Sequence, residues 1–296
     1  MIEFTLIGET ETHQISETEF VRATKNRYPY VQTKQSGQKS FYACCPCCCN
    51  SIQLVNIHNK TSKVIPHGKH TGKSIDGFPI YNETLYMTCP WARHGSYDWE
   101  GKKAELDLYE KEILLRAIDN IDRAIYYLET ILGVYFKWKL KEEAIKEYFA
   151  NQGWLYNIAT KENLPMVVLY VLGRKRLNNL LIKKDGLLYT ELKKGKIVLK
   201  LYENSSDVFY VKDPLDIRVC DFHRTTSSYD YTEIFEMAVD NAANSIYDND
   251  LLKFKFVFDR DRYKRLCEME TWQKKEKYEI IIKKEVDKLP QTLFDK

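Results

Sequence analysis

The chain has no long hydrophobic run. Its longest apolar stretch, Leu164–Leu172, falls far short of the roughly 20 residues that cross a bilayer, so no membrane span and no membrane partner are expected. The opening residues Met1-Ile2-Glu3-Phe4-Thr5 have neither a basic flank nor a long apolar core, which excludes a signal peptide and makes the cytoplasm the expected compartment. An excess of one charge is also missing: 45 Lys and Arg against 42 Asp and Glu leave +3, and a mimic of DNA needs many more carboxylates. There is no phosphate loop, dinucleotide fingerprint, H-E-x-x-H helix or nucleophile elbow. Those absences favour a binding protein over an enzyme. No internal repeat and no low-complexity linker interrupts the chain.

What is present fits an ordinary globular protein. With 296 residues, 44% hydrophobic and 29% charged, the chain is long enough to bury a core and to form two domains. Charge is unevenly placed. Residues 171–200 carry nine Lys/Arg and two acids, a net of +7, whereas 229–250 carry six acids and no Lys or Arg, a net of −6. Either these are solvated faces, or the two segments meet, within one chain or head to tail between copies. The 21 tyrosines suit an interface, where a large ring with a polar tip is favoured; a composition rich in Tyr, Lys, Ile and Asn is the other source of that number.

Cysteine is concentrated. Cys44, Cys45, Cys47, Cys48 and Cys49 fall within six residues, and Cys89-Pro90-Trp91 follows with His94 behind it. Cys45-Pro46-Cys47-Cys48 has the C-P-x-C form of a zinc knuckle, in which two thiolates from one tight turn and a second pair from a later loop close a tetrahedron. In a reducing compartment such thiols serve as metal ligands rather than disulfides. Cys45, Cys48, Cys89 and His94 are the ligands this spacing selects, with His70 the competitor for the fourth place, and the ion is a structural zinc. A catalytic zinc wants a carboxylate base beside it; Glu83 and Asp98 are available but form no motif.

The remaining pattern predicts a mixed α+β fold: a zinc-ribbon-like N-terminal module over 1–100, a long connecting helix or arm over 101–140, and a β-meander domain with a C-terminal helix over 141–296. Strands are expected at 2–7, 40–43 and 51–57, a short helix capped by Ser16, and a loop over 58–79. Leu114, Ile118, Ile121, Ile125, Leu128 and Leu132 recur at spacings of 4 and 3 within a helix expected over 102–132, stopped by Gly133. That stripe serves either a core or a coiled coil. A helix is expected over 141–150 and a helix or strand over 164–172. The meander is expected to run through 181–184, 187–192, 197–202 and 208–211, followed by a helix over 231–245, a strand over 253–258 and one long helix over 259–289.

Two further clusters carry weaker chemistry. Glu191-Leu192-Lys193 has the E-x-K form found on nuclease core strands, but the nearest upstream acid, Asp185, lies about 20 Å away along a strand, too far to share an ion. His223-Arg224-Thr225-Thr226, with Cys220 nearby, is either a phosphate-binding cluster or, as such a run more often is, a loop satisfying its own backbone.

The run Phe41-Tyr42-Ala43-Cys44-Cys45-Pro46-Cys47-Cys48, then Ser51-Ile52-Gln53-Leu54-Val55, His67-Gly68-Lys69-His70 and Cys89-Pro90-Trp91, together with chain length, resembles the first-described Gabija anti-defence family of phages and prophages. The specific part of the likeness covers about a third of the chain; beyond Gly101 it is one of general character. The resemblance implies a non-enzymatic inhibitor, acting in the host cytoplasm as a homo-oligomer. Its partners would be the Gabija nuclease and helicase-like subunits, whose DNA binding and cleavage it blocks. The alternative from another class is a zinc-ribbon nucleic-acid-binding protein using 171–200 on phosphates, with a steep salt dependence.

Overall fold

The structure is a computed structural model that describes residues 1–34, 37–58, 65–87, 89, 91–92, 99–104, 106, 108–203, 205–226, 231–241 and 250–294, with the backbone alone at 84, 87, 223–226 and 231. The fold is mixed α+β, and its sheets are antiparallel. The chain divides into two compact units, Met1–Tyr109 with Arg224–Thr232, and Glu110–His223 with Glu233–Lys296.

In the first unit, β1 (Glu3–Phe4) and β2 (His13–Gln14) form a small two-stranded sheet. Ser16 opens α1 (Glu17–Thr24), its hydroxyl accepting from the Glu19 N–H at 3.2 Å, which satisfies one of the amides a helix start leaves without a partner. The helix buries Phe20 beside Phe4, ring centroids 6.0 Å apart. A four-stranded sheet follows in chain order: β3 (Val31–Thr33), β4 (Lys39–Cys44), β5 (Ser51–Val55) and β6 (His67–His70). A short helix, α2 (Glu83–Met87), comes next.

β6 corrects the loop expected over 58–79, of which residues 59–64 lie outside the described residues. His67-Gly68-Lys69-His70 has no strand-favouring side chain. It is extended because its backbone pairs with β5, Ile52 opposite His70 and Leu54 opposite Gly68. Gly68 allows that approach: a Cβ there would stand 2.8 Å from Met1 Cγ and 2.9 Å from Ile52 Cδ1.

The second unit begins in the first turn of α3 (Leu108–Leu132), which starts later than the spacing suggested. Leu114, Ile121, Ile125, Leu128 and Leu132 are buried and Ile118 half-buried, so the stripe lies in the chain's own core. Gly133 ends the helix at φ +67°, and a Cβ on it would meet Gly186 Cα at 2.4 Å. This contact seats the helix end on the turn at Asp185-Gly186, close to where the Lys183 N–H donates to the Gly133 carbonyl at 2.8 Å.

The chain continues through β7 (Val134–Phe136), α4 (Trp138–Ala150) and α5 (Leu164–Leu172). Pro165 sits in the first turn of α5, where its missing N–H costs nothing, and the helix is apolar nearly all round because it is buried. Then follow β8 (Lys175–Arg176), β9 (Leu180–Lys183), α6 (Leu187–Lys194), β10 (Leu199–Leu201) and β11 (Val208–Val211).

The expected strand over 187–192 is helix α6. Leu188 and Leu192, one turn apart, are both fully buried, and the Thr190 N–H donates to the Gly186 carbonyl. The sheet order is accordingly β10-β11-β9-β7, so its strands do not follow the order of a simple meander.

The last sheet, β14-β13-β12-β8, uses β12 (Leu215–Thr226), β13 (Tyr231–Asn241) and β14 (Asp250–Val257). The helix expected over 231–245 is strand β13 over its described part. Phe235, Met237 and Val239 are buried with period two, and Phe235 and Met237 stand opposite Phe256 and Phe254. The single helix expected over 259–289 is two, α7 (Arg260–Cys267) and α8 (Glu276–Val286). Among the described residues no helix is long and apolar enough to cross a membrane.

Candidate metal centre

The knuckle is shaped by its backbone. β4 ends at Cys44, paired with Ser51 of β5, and the turn between them closes when the Cys45 N–H donates to the Asn50 carbonyl at 2.9 Å and the Cys49 N–H to the Cys45 carbonyl at 3.0 Å. Cys45 and Cys48 thereby point to one side, while Cys49 is left exposed at φ +54°. The third cysteine arrives from α2. The Asn50 amide donates to the Asn82 carbonyl at 2.9 Å, and its oxygen accepts from the Asn82 N–H at 2.8 Å. Asn82 in turn caps α2 by accepting from the Leu85 N–H at 3.0 Å. A single asparagine side chain thus ties the knuckle to the segment that carries Cys89.

Cys45, Cys48, His70 and Cys89 converge, their ligand atoms all within 4.8 Å of one another. The Cys45 and Cys89 sulfurs are 3.7 Å apart, and His70 Nε2 lies 3.3 Å from Cys48 Sγ and 3.7 Å from Cys89 Sγ. A tetrahedral ion with bonds of about 2.3 Å to sulfur and about 2.0–2.1 Å to nitrogen requires edges of roughly 3.8 Å between sulfurs and roughly 3.6 Å from sulfur to nitrogen. The three distances lie close to those edges, so this set can hold a metal ion. The three thiols are buried; His70 is half-buried, its ring edge-on to Tyr86 at a centroid distance of 5.4 Å.

Packing three thiols together makes their ionisation unequal. Burial pushes Cys45 and Cys89 well up, and each is further affected by its sulfur neighbours. Burial opposes ionisation of Cys48 too, but hydrogen bonds from Cys45, Cys89 and His70 outweigh it and hold that thiol well below its ordinary value. A divalent cation bound among them would supply the charge that lets all three ionise. Cys44, behind the site, is pushed up to about 12, first by burial and then by Cys49 and Cys48.

Of the residues the sequence selected, Cys45, Cys48 and Cys89 come together here, and His70 stands in the fourth place. His94 and Asp98 lie outside the described residues, and Glu83 is exposed at the start of α2. What spacing alone leaves undecided is the β5–β6 register, which sets His70 opposite Ile52, two residues past Asn50 at the close of the knuckle turn.

The other constellations resolve differently. Glu191 lies on helix α6 and pairs with Lys194 at 2.7 Å, so the E-x-K run is not on a strand. The backbone of His223 to Thr226 belongs to β12 and is not a loop. The two charged segments meet inside the chain: Arg174 Nη2 lies 2.8 Å from Asp240 Oδ2. Arg218 joins the same carboxylate at 3.1 Å and reaches Asp250 at 2.8 Å, while Arg176 pairs with Asp216 at 3.2 Å.

No family model matches the chain, and neither a curated protein nor a solved structure is similar to it. The fold and site themselves define a mixed α+β protein with a Cys3His cluster on a zinc-ribbon-like frame.

Proposed function

We propose that the chain acts by occupying a surface of another macromolecule, with zinc as an internal brace. The observation that carries this reading is the donor set: among the described residues three cysteines and one histidine converge, enough to fill a tetrahedron without water or substrate, the pattern of structural rather than catalytic zinc. A d10 ion with no geometric demand of its own suits three thiolates and an imidazole. The partner is the one the sequence resemblance implies: the Gabija nuclease and helicase-like subunits, met in the host cytoplasm, with the chain assembled as a homo-oligomer that blocks DNA binding and cleavage.

Phosphate binding through residues 171–200 is the weaker reading, because Arg174, Lys175, Arg176 and Lys194 of that segment are engaged by Asp240, Glu143, Asp216 and Glu191 within the chain. Purified Gabija complex titrated with the chain tests the proposal. Cleavage should fall linearly to a fixed stoichiometric endpoint, and the two should co-elute at moderate salt. A chain that leaves cleavage untouched, or that retains DNA by itself at moderate salt, overturns it.

A further inference from the structure

Strand β14 has one edge paired and one edge open. Its neighbour in the sheet is β13, and among the described residues no strand lies against its other side. The register shows which backbone groups face outward. The Phe258 N–H donates to the Glu233 carbonyl at 2.9 Å, and the same register sets Phe256 opposite Phe235 and Phe254 opposite Met237. Hydrogen-bonded and non-hydrogen-bonded positions alternate along an antiparallel pair. Lys253, Lys255 and Val257 therefore turn their N–H and C=O groups away from β13, and their side chains are exposed. Such an edge can take one more strand.

Its side chains say which strand fits. A second copy laid antiparallel across the whole edge sets Lys255 opposite either Lys253 or its own counterpart, and like charges directly opposite one another are destabilising. On the paired side β13 shows the complement, with Glu236 opposite Lys255 and Ile234 opposite Val257. We propose that the open edge of β14 is a docking site for an extended acidic segment of a partner protein. That segment adds a strand antiparallel to β14, with an apolar residue opposite Val257 and carboxylates opposite Lys255 and Lys253. Backbone hydrogen bonds attach it, and the two lysines select it over a copy of the chain itself. Lys253 is held 3.2 Å from Asp250 of its own strand, so Lys255 carries more of the selection. This inference rests on the reading of the chain as a protein that covers a macromolecular surface. The assay below contains no nuclease, so its failure leaves that reading where the cleavage titration puts it.

The test uses the purified full chain and a fluorescent synthetic peptide containing Val-Thr-Glu-Thr-Glu, read by anisotropy and by amide exchange. The peptide should bind and slow exchange at the Lys253, Lys255 and Val257 amides. Phe254 and Phe256, already paired with β13, should keep their rates. Lys255→Glu should weaken binding at least about fivefold, and a peptide with lysines in place of the glutamates should bind that variant more tightly than it binds the parent. Methyl groups on the valine and glutamate nitrogens of the peptide, which would face β14, should abolish binding; this arm needs no protein variant to fold. If the acidic peptide does not bind, or the lysine peptide binds the parent equally well, Lys253 and Lys255 only keep the edge unpaired and the proposal is overturned. A dimer of the parent that protects the same amides without peptide would put a second copy on the edge and overturn it as well.

Discussion

Cys49 is the knuckle residue whose backbone suits its side chain least. At φ +54° it occupies the left-handed region, which costs a residue with a Cβ about 1–2 kcal/mol, while glycine returns part of that gain through its freer unfolded chain. Cys49→Gly should therefore leave metal binding intact and stabilise the metal-loaded protein by up to about 1 kcal/mol, read as a small rise in melting temperature. A fall in melting temperature would show that the Cys49 side chain matters more than its backbone strain.

Glu19 makes a second statement at this scale. Its hydrogen bond from Arg22, then that with His13, hold its carboxyl down at about 2 against an ordinary 4.5. A depressed carboxyl contributes stability that is fully present above the unfolded value and lost as pH falls through the folded one. The clamp between α1 and β2 should thus persist from pH 4.5 down to about 2. Carboxyl carbon shifts followed by NMR through that range check it; a midpoint near 4.5 would mean the contact is not kept in solution.

Between elements, the arginine–carboxylate cluster joins β12, β13 and β14 with the segment after α5. The Arg218 side chain is 12% exposed and bridges two carboxylates that are 9% and 11% exposed. Removing it takes one cation from each carboxylate while Arg174 stays on Asp240 and Lys253 on Asp250, so the loss falls at the lower end of the about 3–5 kcal/mol that breaking a buried pair costs. Arg218→Met should destabilise by roughly that amount in urea unfolding. Arg218→Lys should recover only part, since one ammonium cannot repeat a two-armed contact. A loss below about 1 kcal/mol in Arg218→Met would place the cluster among solvent-screened pairs.

The same scale shows what a linear reading could reach. Cys45 and Cys48 were legible because two thiols on one turn are a local fact. Ser16, Gly133 and the stripe from Leu114 to Leu132 were legible because caps and helical periods are local too. β6 was not, because His67 to His70 is extended only through its pairing with β5, and the nitrogen donor placed beside the thiols depends on that pairing. Leu187–Lys194 and Tyr231–Asn241 exchanged helix and strand for a related reason. In short runs that mix apolar and charged residues, the neighbours that bury Leu188, Leu192 and Phe235 decide the period, and those neighbours are distant in sequence.

At the scale of the molecule the two units have different sources of stability. Among the described residues, of the twelve largest fully buried side chains only Phe4, Phe20 and Ile52 lie in the first unit; the second holds Trp154, Tyr127, Tyr148 and the rest. The first unit places three cysteine thiols and the Asn50 clamp where a larger domain would place apolar side chains. In a small unit a structural metal supplies folding free energy that the core does not. Stripping the ion with a strong chelator should therefore unfold the first unit and leave the second intact. Calorimetry should show one transition moving to much lower temperature or vanishing while the other keeps its midpoint, and amide exchange should quicken over β4, β5 and β6 but not over α3 and α5. Cys48→Ser should reproduce the chelated pattern without chelator, because it removes one of the four converging donors. If both transitions survive chelation unchanged, the cysteine cluster is not what holds the first unit together.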